Sequence, residues 1–568
     1  MNNLKLIVAL SCVILTGNIG FSQEEEEQTL ISNAIRETSP SYRITESPKV
    51  IDTVIPTPKF EYPLLNRNMK TSINTENIEA SKIKIVDKLD KLYPGYIKLG
   101  LGNYTMPLGE LYYNSTRNRR MNYGIHANHL SSFGRIKGYA PSQFDNTKAK
   151  LFGNFYTNNF LIESEANWLN NGYHFYGIQN DSIPKDSLKN RVGGYQAQVH
   201  FSNFTKKDSA KLLYKIKLDY NYFHEFLRDS MPISTNAREN NFGVGTEWKY
   251  KHELNVFSLL ADFRFNNYKF GESDTSLIAF KKDENNHILH FRPTISSYRM
   301  NNKLKAEVGF DLNFDLAANT VFKPVVVANA KYSLLNGMFI PYIGLDGGLK
   351  QNTFQTLNRG NQYINSAVDL KNTKEFKFYA GIKGTLSKTM SFNLSVHSTK
   401  FTDRALYFND TIFSDQYRFN VLYDDVTVLG FGGSLTYQKS EKLKIDAILQ
   451  YNNYSAANQK YAWYLPELEL TLRGSYNVYD KLYAKLDFNM QTGRKSPNGI
   501  LNPDPSQTET VLFDTGIIAD ANLHLEYRYN RRISAFIQFN NIANQKYNRW
   551  LNYPVYGFQV LGGVTFGF

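Results

Sequence analysis

Along most of the chain, apolar and polar residues alternate one by one. Leu212, Tyr214, Ile216, Leu218, Tyr220 and Tyr222 alternate with Lys215, Lys217, Asp219 and Asn221. Ala306, Val308, Phe310, Leu312 and Phe314 do the same against Glu307, Gly309, Asp311 and Asn313. The pattern returns at 443–452, where Lys444 lies on the polar face, at 482–491, where Lys485 does, and at 523–529. Successive strand side chains point to opposite faces, so each run predicts a strand with one oily and one charged face. A soluble sandwich alternates too, but soluble strands stop near five or six residues; these runs reach roughly nine to fourteen, enough to cross a bilayer when tilted. Turn signals punctuate them. Asn336-Gly337, Ser440-Glu441, Asp480-Lys481 and Asn530-Arg531 mark tight turns, and Asn-Gly suits positions that need positive φ. The longer connections at 351–373, 402–415 and 491–510 are expected to be external loops. The pattern predicts an all-β fold: a transmembrane antiparallel β-barrel of about 22 strands over 93–568, beginning near Tyr96.

Composition agrees with a barrel. Aromatic residues make up 14% of the 568, with 39 Tyr and 39 Phe, yet mean hydropathy is negative. Lipid-facing strands with aromatic girdles around a polar interior produce that combination. Past the N-terminal segment no stretch approaches the 18 apolar residues that a spanning helix needs. The net charge of +13 raises a nucleic-acid reading, but the basic residues are scattered along alternating strands, which fits a cationic lumen and loop rims instead.

The segments ahead of the barrel differ in texture. Residues 1–22 read as a signal peptide, with Lys5, an apolar run over 6–16, and Gly20 and Ser22 before a cut ahead of Gln23. The single cysteine, Cys12, lies inside it; a lipoprotein reading through Cys12 leaves the apolar region short. Residues 23–92 begin with the acidic block Glu24 to Glu27 and carry Pro40, Pro48, Pro56, Pro58 and Pro63 without apolar periodicity. They read as an extended periplasmic or luminal arm, with a weak helical spacing over 79–92.

The last strand carries a resemblance. Tyr556, Phe558, Val560, Val564, Phe566 and Phe568 share one face, and Gly557, Gln559, Gly563, Thr565 and Gly567 the other. This stretch, with Asn540-Asn541-Ile542, Lys546-Tyr547 and Tyr553-Pro554 ahead of it, resembles the closing hairpin of TonB-dependent receptors. The resemblance implies that the six apolar residues form the signal read by the barrel-assembly machinery, and that the protein resides in the outer membrane. It departs from that family in having only about 70 residues ahead of the first strand, with no glycine-containing plug motifs. The style is similar to plugless Bacteroidetes-type relatives, so no plug domain is expected. Asp52-Thr53-Val54-Ile55 is similar to the segment that engages TonB by strand addition, although Pro56 and Pro58 fit an ordinary arm.

Motifs for chemistry are missing. His126 and His129, like His287 and His290, are three apart and face opposite sides of a strand. Asp311 and Asp315 share a face without a third ligand nearby, and the loop set Asn502, Asp504 and Thr508 fits a Pro-stiffened loop equally well. There is no GxSxG, HExxH or P-loop. Neither catalytic nor metal-binding nor cofactor-binding residues are expected, and no cofactor. Solute passage or uptake across the outer membrane leads; the alternative is an accessory barrel that scaffolds an envelope complex. The expected partners are outer-membrane lipid, the assembly machinery and an envelope protein held by the arm, with no nucleic acid.

Overall fold

A computed structural model describes residues 92–203, 210–227, 235–272, 282–317, 320–409, 417–498 and 511–568. The signal peptide, the arm and the loop residues Asn502, Asp504 and Thr508 lie outside them. So does the helical spacing over 79–92, Leu92 aside.

From Gly95 onward the chain forms a closed antiparallel barrel of 22 strands. Lys282–Asn285 and His287–Arg299 both pair with Asn255–Glu272 and count as one strand interrupted at Asn286. Each strand pairs with its sequence neighbour, and the ring closes where Gly95–Gly102 meets Gln559–Gly567, from Tyr96 opposite Gly567 to Gly102 opposite Leu561. Closure satisfies every edge, which lipid demands because it offers backbone amides no partner. The strands read from alternation are present as Leu212–Leu227, Leu304–Leu316, Leu443–Ala456, Leu482–Thr492 and Ile518–Arg528. Segments of weak pattern also form strands, Met106–Asn114 and Phe419–Lys439.

The alternation sorts side chains as expected. Leu99, Leu218, Phe310, Leu394, Phe431 and Val564 lie exposed on the outer face, where lipid replaces water. The inner face is wired with ion pairs between strands. Arg264 reaches Asp219 at 2.7 Å, and Asp262 of its own strand at 2.8 Å; Arg191 reaches Asp145 at 2.7 Å, and Lys150 reaches Glu165 at 2.8 Å. These side chains remain partly exposed, so each pair contributes about 0–1 kcal/mol; their larger effect is to neutralise the wall locally. Lys444 and Lys485 face carboxylates two residues away on their own strands, at 3.0 Å and 3.1 Å.

The two ends differ. One carries tight turns, such as Lys439 to Leu443 and Val478 to Leu482, with Asn336, Ser440 and Asp480 at positive φ. The other carries the long connections. The final Phe568 lies at the tight-turn end, the periplasmic end in barrels of this type.

Two expected loops are shorter than the pattern implied. Residues 402–409 extend the strand Met390–Asn409, and 495–498 pair with 511–514 in a small hairpin. The connection at 351–373 departs further, because it folds into the barrel.

Candidate functional site

Residues 351–372 join two neighbouring strands, Ile340–Lys350 and Thr373–Ser387, at the long-connection end. Within them Phe354–Gly360 forms a short helix, α1. Thr353 caps it: its hydroxyl accepts Thr356 N at 3.1 Å, while Thr356 Oγ1 accepts Thr353 N at 2.8 Å. The amides of Phe354 and Gln355 donate instead to the carboxylate of Glu239, at 2.7 Å and 2.8 Å. Glu239 is fully buried on the inner wall, where Asn266 also donates to it at 3.1 Å. A buried carboxylate is tolerated where charge-assisted hydrogen bonds surround it.

Further groups on the wall hold the rest of the segment. Asn221 Nδ2 donates to Gln355 Oε1 at 2.9 Å, and Asn241 Nδ2 to Gln351 Oε1 at 2.9 Å. Glu284 accepts Leu370 N at 2.7 Å, Asp315 accepts Asn372 Nδ2 at 2.7 Å, and Glu225 accepts the Ser366 hydroxyl. Carboxylates from four stretches of wall therefore converge on one inserted segment. The 351–373 connection is thus a docked element, correcting the expectation of an external loop.

Above it lies an aromatic layer that reaches from wall to wall. Phe354, Leu357, Tyr363, Ile364, Val368 and Leu370 of the segment pack with Phe223 and Tyr268 of the wall. They also pack with Phe175, Trp463, Tyr464, Trp550 and Tyr553, which come from other connections. Tyr363 stacks on Tyr553 with ring centroids 3.7 Å apart, and Trp550 meets Tyr464 at 4.8 Å and Phe419 at 5.5 Å. Backbone bonds from Asn365 N to Phe419 O, 2.6 Å, and from Phe419 N to Tyr363 O, 3.0 Å, fix the layer to the far wall. Burying each large side chain here contributes about 1.5–3 kcal/mol. Burial holds the Tyr363 and Tyr553 hydroxyls above the usual phenol range, so both stay neutral.

Two cavities flank the Tyr363–Tyr553 stack. One, of about 350 Å³, is lined by amides and tyrosines, among them Gln143, Asn540, Tyr176 and Tyr547. The other, of about 330 Å³, carries Arg359 and Arg549. Tyr173, Tyr176, Gln362, Tyr363 and Val555 form the partition that both share.

Of the residues expected to carry the assembly signal, Phe558, Val564, Phe566 and Phe568 are exposed on the outer face, with Val560 half-buried on the same side. Tyr556 differs. It precedes the strand and turns under the mouth, donating to Ser142 O at 2.7 Å beside Tyr104 and Phe144, so it does not extend the outer stripe. Asp311 pairs with His290 and lies 3.9 Å from Arg292, and Asp315 pairs with Lys323 at 2.9 Å. Among the described residues no group of three His, Cys, Asp or Glu could hold a metal. Sequence reasoning missed Glu225, Glu239, Tyr363 and Tyr553. The parity of the two glutamates put them on inner faces, but their partners stand 141 and 115 residues away.

No family model matches the chain, and no curated protein matches it. Solved structures do. The ferripyoverdine receptor of the outer membrane of Pseudomonas aeruginosa aligns with a TM-score of 0.62 at 13% identity, over 85% of this chain and 72% of that one. The copper transporter OprC aligns at 0.62 and 13%, over 84% and 82%. The FrpB iron transporter from Neisseria meningitidis aligns at 0.63 and 10%, again over 84% and 82%. The fold is that of outer-membrane receptor barrels. These neighbours are barrels of the TonB-dependent receptor type, so the resemblance read from the last strand holds for the architecture. With its apolar outer belt, this barrel is an outer-membrane protein, and the neighbours named are receptors and transporters.

Proposed function

We propose that the protein takes up a solute across the outer membrane and that the docked segment 351–372 is its gate. The reading is carried by one observation: an element of the wall's own connection, latched by Glu225, Glu239, Glu284 and Asp315, supports the aromatic layer lying across the lumen. Barrels of this strand number are wide and need filling, and here a segment of the barrel itself supplies filling. The neighbours' roles as receptors and transporters support uptake over a purely scaffolding role. On this reading the barrel is a plugless relative of the receptor type, of Bacteroidetes style. Residues 23–92 act as an extended arm toward an envelope partner, and the outer stripe from Phe558 to Phe568 serves the assembly machinery.

Passage requires the segment to leave its latches. Cysteines at Asn221 and Gln355, whose side chains now share a hydrogen bond of 2.9 Å, can be bridged with a short bismaleimide. In liposome-swelling assays the bridged barrel is expected to pass less solute than the unbridged one. Equal swelling rates sink the gate.

A further inference from the structure

We propose that the 350 Å³ chamber beside the Tyr363–Tyr553 stack receives a neutral, polyhydroxylated ring, a sugar-type solute. This deepens the uptake reading and rests on it. The chamber lies inside the mouth, between the docked segment and the strands Phe144–Tyr156, Ile518–Arg528 and Ile533–Asn540. Its polar lining is dominated by side-chain amides: Gln143, Asn146, Gln362, Asn522, Asn540 and Asn541. An amide offers a donor and an acceptor together, which matches a hydroxyl that both gives and takes a hydrogen bond. Tyr173, Tyr176, Tyr363, Tyr547 and Tyr556 also line it, giving flat apolar faces for the C–H side of a ring.

Charge narrows the class. No lysine or arginine lines this chamber, and Asp520 is its one carboxylate. Carboxylate and phosphate ligands are held by cationic forks, and metal complexes need clustered anionic or imidazole ligands; the chamber has no such fork, and its single imidazole, His174, has both ring nitrogens turned to backbone carbonyls, Gln143 O at 2.7 Å and Lys185 O at 3.1 Å. Polar capacity is left over for a guest. Gln143 is 93% buried, at 7% exposure, and its Oε1 has no hydrogen-bond partner. Asp520 accepts the Tyr547 hydroxyl at 3.1 Å through Oδ2, while Oδ1 has no partner. Buried acceptors left unmade are costly, and a hydroxylated guest would satisfy both. Across the partition, Arg359 and Arg549 form no ion pair among the described residues, so an anion has a different place to go.

The test is calorimetric titration of the full-length purified barrel in detergent. The neutral probes are maltose, cellobiose and N,N′-diacetylchitobiose, set against lactobionate as anion and glucosamine as cation. At least one neutral disaccharide is expected to bind. Gln143→Ala and Asn540→Ala should each weaken it about fivefold, the worth of roughly one hydrogen bond, while Lys444→Ala, in the wall outside the chamber, should not. Heat-shifted gel mobility confirms that each variant is folded. Failure of every neutral probe to bind overturns the proposal. So does a charged probe that binds more tightly and is weakened by the same two substitutions. If swelling depends on the gate but no neutral probe binds, this inference alone falls. If a neutral probe binds through Gln143 and Asn540 but swelling ignores the gate, the gate falls and the chamber stands.

Discussion

Glu239 is the side chain on which the docked segment leans most heavily. It accepts two amides at the start of α1 and one from Asn266, with no exposure to water. Glu239→Ala would strand those donors in a buried site, at about 1–3 kcal/mol for each unpaired group. We expect faster proteolysis within 351–372 and higher conductance in planar bilayers, while Glu239→Gln, which keeps one acceptor, should fall between. Unchanged conductance and proteolysis in the alanine variant would show that the carboxylate does not hold the gate. Much at this scale was legible in advance: alternation put Asp219, Asp311 and Lys215 on the polar face of their strands, and the described ion pairs lie there. The partners were not legible. Parity says which way Glu239 points but carries no information about Phe354, whose amide meets it from 115 residues away.

The element that the pattern concealed is the segment 351–372. Its apolar residues, Phe354, Leu357, Ile364, Val368 and Leu370, follow neither period two nor a sustained helical spacing, because they pack against several surfaces at once. A strand run announces itself by a single repeating environment; this segment has none, so length alone suggested an external loop. A sharper sign was present in the crowding of Asn and large apolar residues over 352–372, unusual for a solvated connection. The strands need no help from it, since their backbone bonds are made with one another. Replacing 353–370 with a short Gly-Ser link should therefore leave a barrel that still shows heat-shifted mobility and conducts more current than the parent. A variant that fails to fold would mean that the segment is part of the wall's stability.

The whole molecule is completed at its seam. Phe568 N donates to Gly95 O at 3.0 Å, and Gly95 N to Phe568 O at 3.3 Å, so the last residue locks to the first strand. Its ring lies outward, while a Cβ at Gly567 would meet nothing nearer than the Arg532 carbonyl at 3.6 Å. Phe568→Asp should thus cut membrane insertion far more than Gly567→Asp, measured as the folded fraction in outer-membrane preparations; equal yields would remove the outer stripe's claim to guide assembly. Strand number and closure were readable from turn spacing and the final strand, whereas the filling of the mouth was not, because it joins residues scattered over the chain. That scattering sets an order of events. Tyr553, which completes the stack with Tyr363, precedes the closing strand Gln559–Gly567 by only a few residues. A ring still open at the seam has no opposite bank from which Tyr553 can reach Tyr363. The docked segment can latch to its own stretch of wall beforehand, but the stack that finishes the cork is expected only once the two ends join.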